Sequence, residues 1–297
     1  MSLFLAKQFK TLTPSILILS LPRSGSSWVG EILGSAANAL FLSEPIAQSD
    51  LALAESQHVT THFDSTDPPR LYRKFADRAF CGLPNFPPWL VIKKPPQWSL
   101  FERRYRRLVI KEVKPLACGW LLKRYKPRVI FMVRHPVAVA LSYLNLGWTD
   151  INVEKAPLAG RALINTSLSR WQQHLKSISD FWEQHGIMQG ALLRNILDSL
   201  TDYPDHRIVL YEELCADPIR VFPDLFNFAG LSWDREIENL IMERSSGGDT
   251  QNPYSTSRNS RSMVNAWKDK VSNEEVKRLQ AAYRKFDLPW YQSESDW

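Results

Sequence analysis

The chain has 297 residues, of which 44% are hydrophobic and 23% charged, enough apolar material for one large or two small domains and a composition that excludes a disordered or fibrous protein. Subtracting 31 acidic from 37 basic residues leaves +6, a balance suited to nucleotides, sulfated or phosphorylated sugars, nucleic acid or a membrane surface. Three widely spaced cysteines, Cys81, Cys118 and Cys215, form no C-x-x-C pair; they argue against a disulfide framework or zinc site and for a reducing compartment.

In chain order, "MSLFLAKQFKTLTPSILILS" holds two short apolar pieces split by Lys7, Lys10 and Pro14. They are too short to span a bilayer and lack a small-residue cleavage site, so a soluble cytoplasmic protein is expected. "SILILS" (15–20) is a continuous apolar run, as expected of a strand buried on both faces of a parallel sheet. Trp28, Val29, Ile32 and Leu33 then recur at helical spacing, so "SSWVGEILGSA" reads as a helix. "RLVIKEV" (107–113) predicts a second strand with Val109, Lys111 and Val113 on one face and Ile110 and Glu112 on the other. "LACGWLLKRYK" reads as a helix, "RVIFMV" (128–133) as a buried strand, and "RHPVAVALSYL" as loop and helix. "RIVLYEEL" (207–214) reads as a fourth strand ending in a polar turn; Asp217 caps the next helix with Pro218 at its first position. Segments 48–100 and 145–205 read as insertions covering the carboxyl edge of the sheet. The Gly/Ser/Asn-rich stretch 245–263 reads as a functional loop, and Ser272 with Glu275 signals a capped last helix. Strands alternating with helices predict an α/β fold with a doubly wound, mainly parallel sheet flanked by helices, spread over one domain, 1–297.

The loop "SLPRSGSSWVGEIL" (20–33) sits where a helix N-terminus offers free N–H groups and a positive dipole end, and its small residues admit an anion. It lacks the first glycine and the lysine of the G-x-x-x-x-G-K-S/T loop, which argues against a nucleotide kinase. "VRHPVAVALSY" puts Arg134 at the end of a buried strand and Ser142 about two helical turns later, suited to a second phosphate. Two phosphate sites without a lysine loop point to a nucleotide carrying both a 5′ and a 3′ phosphate.

These motifs resemble a sulfotransferase that uses 3′-phosphoadenosine 5′-phosphosulfate (PAPS) and releases adenosine 3′,5′-bisphosphate. "LPRSGSSWVGEIL" resembles the family's 5′-phosphosulfate loop and "VIFMVRHPVAVALSYL" its 3′-phosphate motif. "LYEELCADPIRVFPDLFNFAGL" and "YSTSRNSRSMVNAWKDKVSNEEVKRL" are similar to its later strand-turn and its nucleotide-covering loop and helix, in family order. "FLSEP" (41–45) and "TSRNS" (256–260) resemble carbohydrate sulfotransferases, whereas Val113 of "IKEVKP" occupies the place of the cytosolic enzymes' catalytic histidine.

The resemblance implies a P-loop-like fold and a metal-free transfer of the sulfuryl group to a hydroxyl of a carbohydrate or glycolipid-like acceptor. It assigns Arg23, as a catalytic group, and the N–H groups of Ser24, Gly25, Ser26, Ser27 and Trp28 to the 5′-phosphate and leaving oxygen, with hydroxyls from Ser26 and Ser27, and adenine stacking or core packing for Trp28. Lys111 is expected on the sulfuryl group, or paired with Glu112; Arg134 and Ser142 on the 3′-phosphate, joined by Ser257 and Arg258. Glu44 is the expected general base, with Glu112 and His135 as rivals and His58 and His62 as candidate acceptor contacts. A basic module binding nucleotide or nucleic acid through "RRYRR" without chemistry is the alternative from another class; no nucleic acid partner is expected.

Overall fold

The computed structural model describes residues 11–47, 68, 70–83, 103–113, 117–149, 180–247 and 259–297. Among the described residues five strands, β1 (Ile16–Ser20), β2 (Ala39–Ser43), β3 (Arg107–Glu112), β4 (Arg128–Val133) and β5 (His206–Leu210), form one sheet in the order β2-β3-β1-β4-β5. Every pairing is parallel, with Leu17 opposite Ile110 and Val129, and Phe131 opposite Ile208. All of β1 is buried, which is why its sequence shows no polar alternation.

Ten helices are described: α1 (Ser26–Leu33), α2 (Arg70–Phe80), α3 (Cys118–Tyr125), α4 (Pro136–Leu144), α5 (Phe181–Leu200), α6 (Tyr211–Ala216), α7 (Pro218–Ala229), α8 (Arg235–Ser245), α9 (Ser260–Met263) and α10 (Asn273–Tyr283). Strand alternation splits the core in two. Leu17, Leu19, Ile110 and Phe131 pack with α2 to α5 and α10, while Ile16, Ile18, Val109 and Ile130 pack with α1, α7 and α8. Each such side chain stabilises by about 1.5–3 kcal/mol relative to exposure. The caps expected from sequence form: Asp217 accepts from the Arg220 N–H behind Pro218, and Ser272 and Glu275 make a reciprocal box.

Three expectations change. β2 was read as part of a motif rather than as a strand; α1 stops at Leu33 because Gly34 passes so close to Phe41 that a Cβ there would lie 2.6 Å from it, and the chain turns straight into β2. The strand expected over 207–214 ends at Leu210, and Tyr211 starts α6, whose Glu212 and Glu213 favour a helix N-terminus. The described parts of the two insertions are core rather than cover. Tyr72, Phe75 and Phe80 of α2 are buried, and α5 lies so close to α10 that a Cβ on Gly186 would meet the Leu279 carbonyl at 2.5 Å.

Candidate functional site

β1 lies between β3 and β4, with β2 and β3 filling one side of the sheet and β4 and β5 the other, so its carboxyl end is the switch point at which parallel sheets bind ligands. The loop there is shaped by two left-handed residues, Arg23 (φ 68°) and Gly25 (φ 86°). Gly25 is required twice, since a Cβ on it would also meet the Tyr211 ring at 2.3 Å. The N–H groups of Trp28 and Val29 return to the Gly25 carbonyl. Trp28 therefore does not offer the anion-facing amide expected of it. Among the described residues, those of Ser24, Gly25, Ser26 and Ser27 meet no acceptor. Ser26 is buried and its Oγ accepts from Ser20 Oγ at 2.7 Å, leaving its own O–H to donate, while Ser27 is exposed.

Arg134 leaves β4 beside this loop. Its Nη1 donates to the Arg23 carbonyl at 2.8 Å, and its guanidinium carbon lies 4.5 Å from the centre of the Tyr211 ring. Among the described residues its buried Nε meets no acceptor and no carboxylate pairs with it. Arg23 Nε donates to Ser142 Oγ at 2.9 Å. The residues expected at two separate phosphate sites are thus joined in one network, in which Arg23 touches both Ser142 and Arg134.

Glu212 accepts from the His135 N–H at 2.9 Å and from the Tyr291 hydroxyl at 2.7 Å, fixing the β4–α4 turn. The His135 ring stacks on Trp267 at 4.4 Å, flanked edge-on by Tyr291 and Trp297. Burial holds it neutral, with its pKa pushed down to about 3. An imidazole boxed by aromatic rings and too weak to take a proton near neutrality is not the general base.

On the other side of β1, Lys111 is 2% exposed and on the α1 face, where a Cβ on Gly30 would lie 3.4 Å from its own Cβ. Its Nζ pairs with Glu44, not with Glu112. Glu44 leaves β2 through a left-handed turn (φ 53°) while its N–H donates to the Lys111 carbonyl at 2.6 Å. Glu112 points to the opposite face, as alternation predicts. It is buried and accepts from the N–H groups of Ile46 at 2.6 Å and Ala47 at 3.3 Å. Burial pushes its pKa up to about 8.

Trp28 is 7% exposed and meets Phe222 edge-on at 5.5 Å. It also lines a cavity of about 210 Å³ with Phe41, Leu240 and the Glu31–Arg244 pair, and its indole N–H is buried without an acceptor. Ser257, Arg258, His58 and His62 lie outside the described residues. Among the described residues no group of three or more His, Cys, Asp or Glu side chains is placed to hold a metal, and no helix is long and apolar enough to cross a membrane. Sequence reasoning missed Tyr211 and Glu212; the only signal was an aromatic-acid pair at the end of a strand.

Residues 13–292 match the model of the sulfotransferase domain. Carbohydrate sulfotransferase 2 of Mus musculus is 26% identical over 220 residues, which cover 63% of this chain and 41% of that protein, so the chain spans less than half its length. Carbohydrate sulfotransferase 5 of Homo sapiens is 24% identical over 319 residues, covering 89% and 74%. The solved sulfotransferase domain from the curacin biosynthetic pathway shares the fold, with a TM-score of 0.50, 16% identity and coverage of 94% of this chain and 100% of that one.

Proposed function

The chain belongs to the sulfotransferase domain family, and from that premise we propose that it transfers the sulfuryl group of PAPS to a hydroxyl of a carbohydrate-like acceptor. The observation that carries the reading is the cradle at the carboxyl end of β1 and β4: among the described residues, the amides of Ser24 to Ser27 meet no acceptor and Arg134 beside them meets no carboxylate. Such a site is complementary to a doubly phosphorylated ligand and unfavourable when empty of anions. The carbohydrate class rests on what the two relatives are called, together with the Glu44–Pro45 turn after β2.

When bound, PAPS supplies an activated sulfuryl group and the adenosine bisphosphate leaving group. Ser24 to Ser27 hold the 5′ side by their amides and by the Ser26 and Ser27 hydroxyls, and Arg134 with Ser142 holds the 3′-phosphate, the two tied together through Arg23. Trp28, in the first turn of α1 and edge-on to Phe222, would flank the purine. Lys111 neutralises charge on the sulfuryl oxygens and, in turning to them, releases the Glu44 carboxylate. Glu44 Oε1 then accepts the proton of the attacking hydroxyl, so one exchange of partners readies both groups. That Cys81, Cys118 and Cys215 are all buried thiols supports a cytoplasmic, reducing location.

The test is transfer of labelled sulfate from PAPS to a panel of saccharides, alongside calorimetric binding of adenosine 3′,5′-bisphosphate, 5′-AMP, ATP and an oligonucleotide. Preferential bisphosphate binding with transfer to at least one sugar is expected. Tighter binding of ATP or the oligonucleotide would overturn the reading.

A further inference from the structure

We infer that Glu112 is a positioning residue that caps the turn beyond Glu44 and thereby leaves the Glu44 carboxylate available to Lys111; this rests on the sulfotransferase reading above. Residues 45–47 begin a helical turn. Its first residue, Pro45, has no N–H, and the amides of the next two, Ile46 and Ala47, are orphan donors on residues each 1% exposed, out of reach of water. An unpaired buried amide is costly, so something must accept from both. The residue placed by sequence to do so is Glu44, which precedes the turn as an N-cap would.

Glu44 does not cap these amides. Its side chain is turned to Lys111, from a left-handed backbone held by its N–H to the Lys111 carbonyl. The cap comes instead from β3: Glu112 accepts from Ile46 N–H at 2.6 Å and from Ala47 N–H at 3.3 Å, one carboxyl oxygen to each. Because Lys111 and Glu112 are neighbours on a strand, they point to opposite faces. One strand thus binds the proposed base by the lysine on one face and clamps the segment following it by the glutamate on the other. Burial of Glu112 and its proximity to Glu44 both favour its protonated form, whose carbonyl oxygen still accepts the short bond from Ile46 N–H and which does not repel Glu44.

Removing the clamp lets the 44–47 turn move, and a displacement of about 1 Å at a catalytic group costs about 100-fold in rate. Glu112→Ala is expected to lower kcat about 100-fold with the dissociation constant of adenosine 3′,5′-bisphosphate unchanged within about twofold. Glu112→Gln, which keeps an acceptor in place, is expected to recover most of that loss. In a Glu44→Gln background Glu112→Ala is expected to cost little more, because it acts through Glu44. Amide hydrogen exchange supplies a readout independent of turnover: exchange at Ile46 and Ala47 rises about tenfold or more in Glu112→Ala, with the amides of α4 unchanged. Unchanged exchange at Ile46 and Ala47, or a kcat loss that adds in full to that of Glu44→Gln, overturns the inference and leaves the sulfotransferase reading intact. Absence of transfer by the wild-type protein, with every saccharide tried, would overturn both.

Discussion

The cradle around Arg134 and the corner around Lys111 lie on either side of β1 at the same edge of the sheet, yet their charges are balanced in opposite ways. Arg134 rests on a tyrosine face and a backbone carbonyl, and among the described residues it meets no carboxylate and the loop amides beside it meet no acceptor. At the corner, Lys111 is paired with Glu44, and Glu112 is buried against two amides. An uncompensated cation site stores affinity for an anion; a compensated ion pair stores a rearrangement, released when a stronger partner arrives. The difference predicts which substitutions affect binding and which affect turnover.

The largest effect expected is on the corner, as stability against pH. Glu112 has a pKa of 4.5 in the unfolded chain and about 8 in the folded one. The folded state therefore holds a proton that the unfolded state has lost. Stability from this group is complete below pH 4.5, falls as pH rises, and levels off above about 8, a difference of about 5 kcal/mol. Urea unfolding at pH 7 and 9, above the range where the buried histidines contribute a slope, is expected to show this fall in the wild type and a clearly shallower one in Glu112→Gln. Equal slopes would mean that the corner is not dry. On the acid side the sign reverses. His135 and His185 are both held down to about 3 by burial, so their stabilisation is full above their ordinary value of 6.5 and is lost as pH falls toward 3.

Next in size is the cradle. Arg134→Ala is expected to weaken adenosine 3′,5′-bisphosphate about 100-fold, or about 2.7 kcal/mol, by removing a charge-assisted pair to phosphate. 5′-AMP should lose far less. Equal losses for the two nucleotides would place Arg134 on the 5′ side and break the division of the cradle proposed here. A smaller effect is expected from Gly25→Ala, which needs both a left-handed alanine and a displaced Tyr211 ring: about 2 kcal/mol of stability, measured by thermal unfolding.

The cradle was more legible than the corner. Ser24 to Ser27, Arg134 and Ser142 announce themselves because strand-loop-helix patterns place small residues and arginines at a sheet's carboxyl edge. β1, β3 and β4 were legible for the same reason, as apolar runs. β2 escaped because five residues following a helix too closely look like its continuation, and β5 was drawn too long because Tyr211 continues its apolar run. The pairing of Lys111 with Glu44 depends on β2 lying beside β3, a contact between residues 67 apart in sequence that no local pattern encodes. The role of Glu112 is legible only once Pro45 and the buried amides after it are placed. His135 looked like a catalytic residue because imidazole is the usual proton acceptor near neutrality, and its aromatic box is assembled from residues more than 130 positions later.

Tyr211 offers the finest test of how the uncompensated cation is held. Its ring lies between Gly25 and Arg134, 4.5 Å from the guanidinium carbon, and burial pushes its phenol well above the usual range, so it is neutral. A neutral face stabilises the arginine without cancelling its charge, which a carboxylate in that place would do. A cation over a buried aromatic face contributes about 1 kcal/mol. Tyr211→Leu is expected to weaken adenosine 3′,5′-bisphosphate about fivefold with kcat nearly unchanged, and Tyr211→Phe, which keeps the face, to change neither. If Phe were as damaging as Leu, the hydroxyl rather than the ring would be the contributing group, and Tyr211 would belong among the ligand contacts. If Leu lowered kcat instead of affinity, the cradle and the corner would be coupled across β1, and the separation of binding from turnover drawn between them would fail.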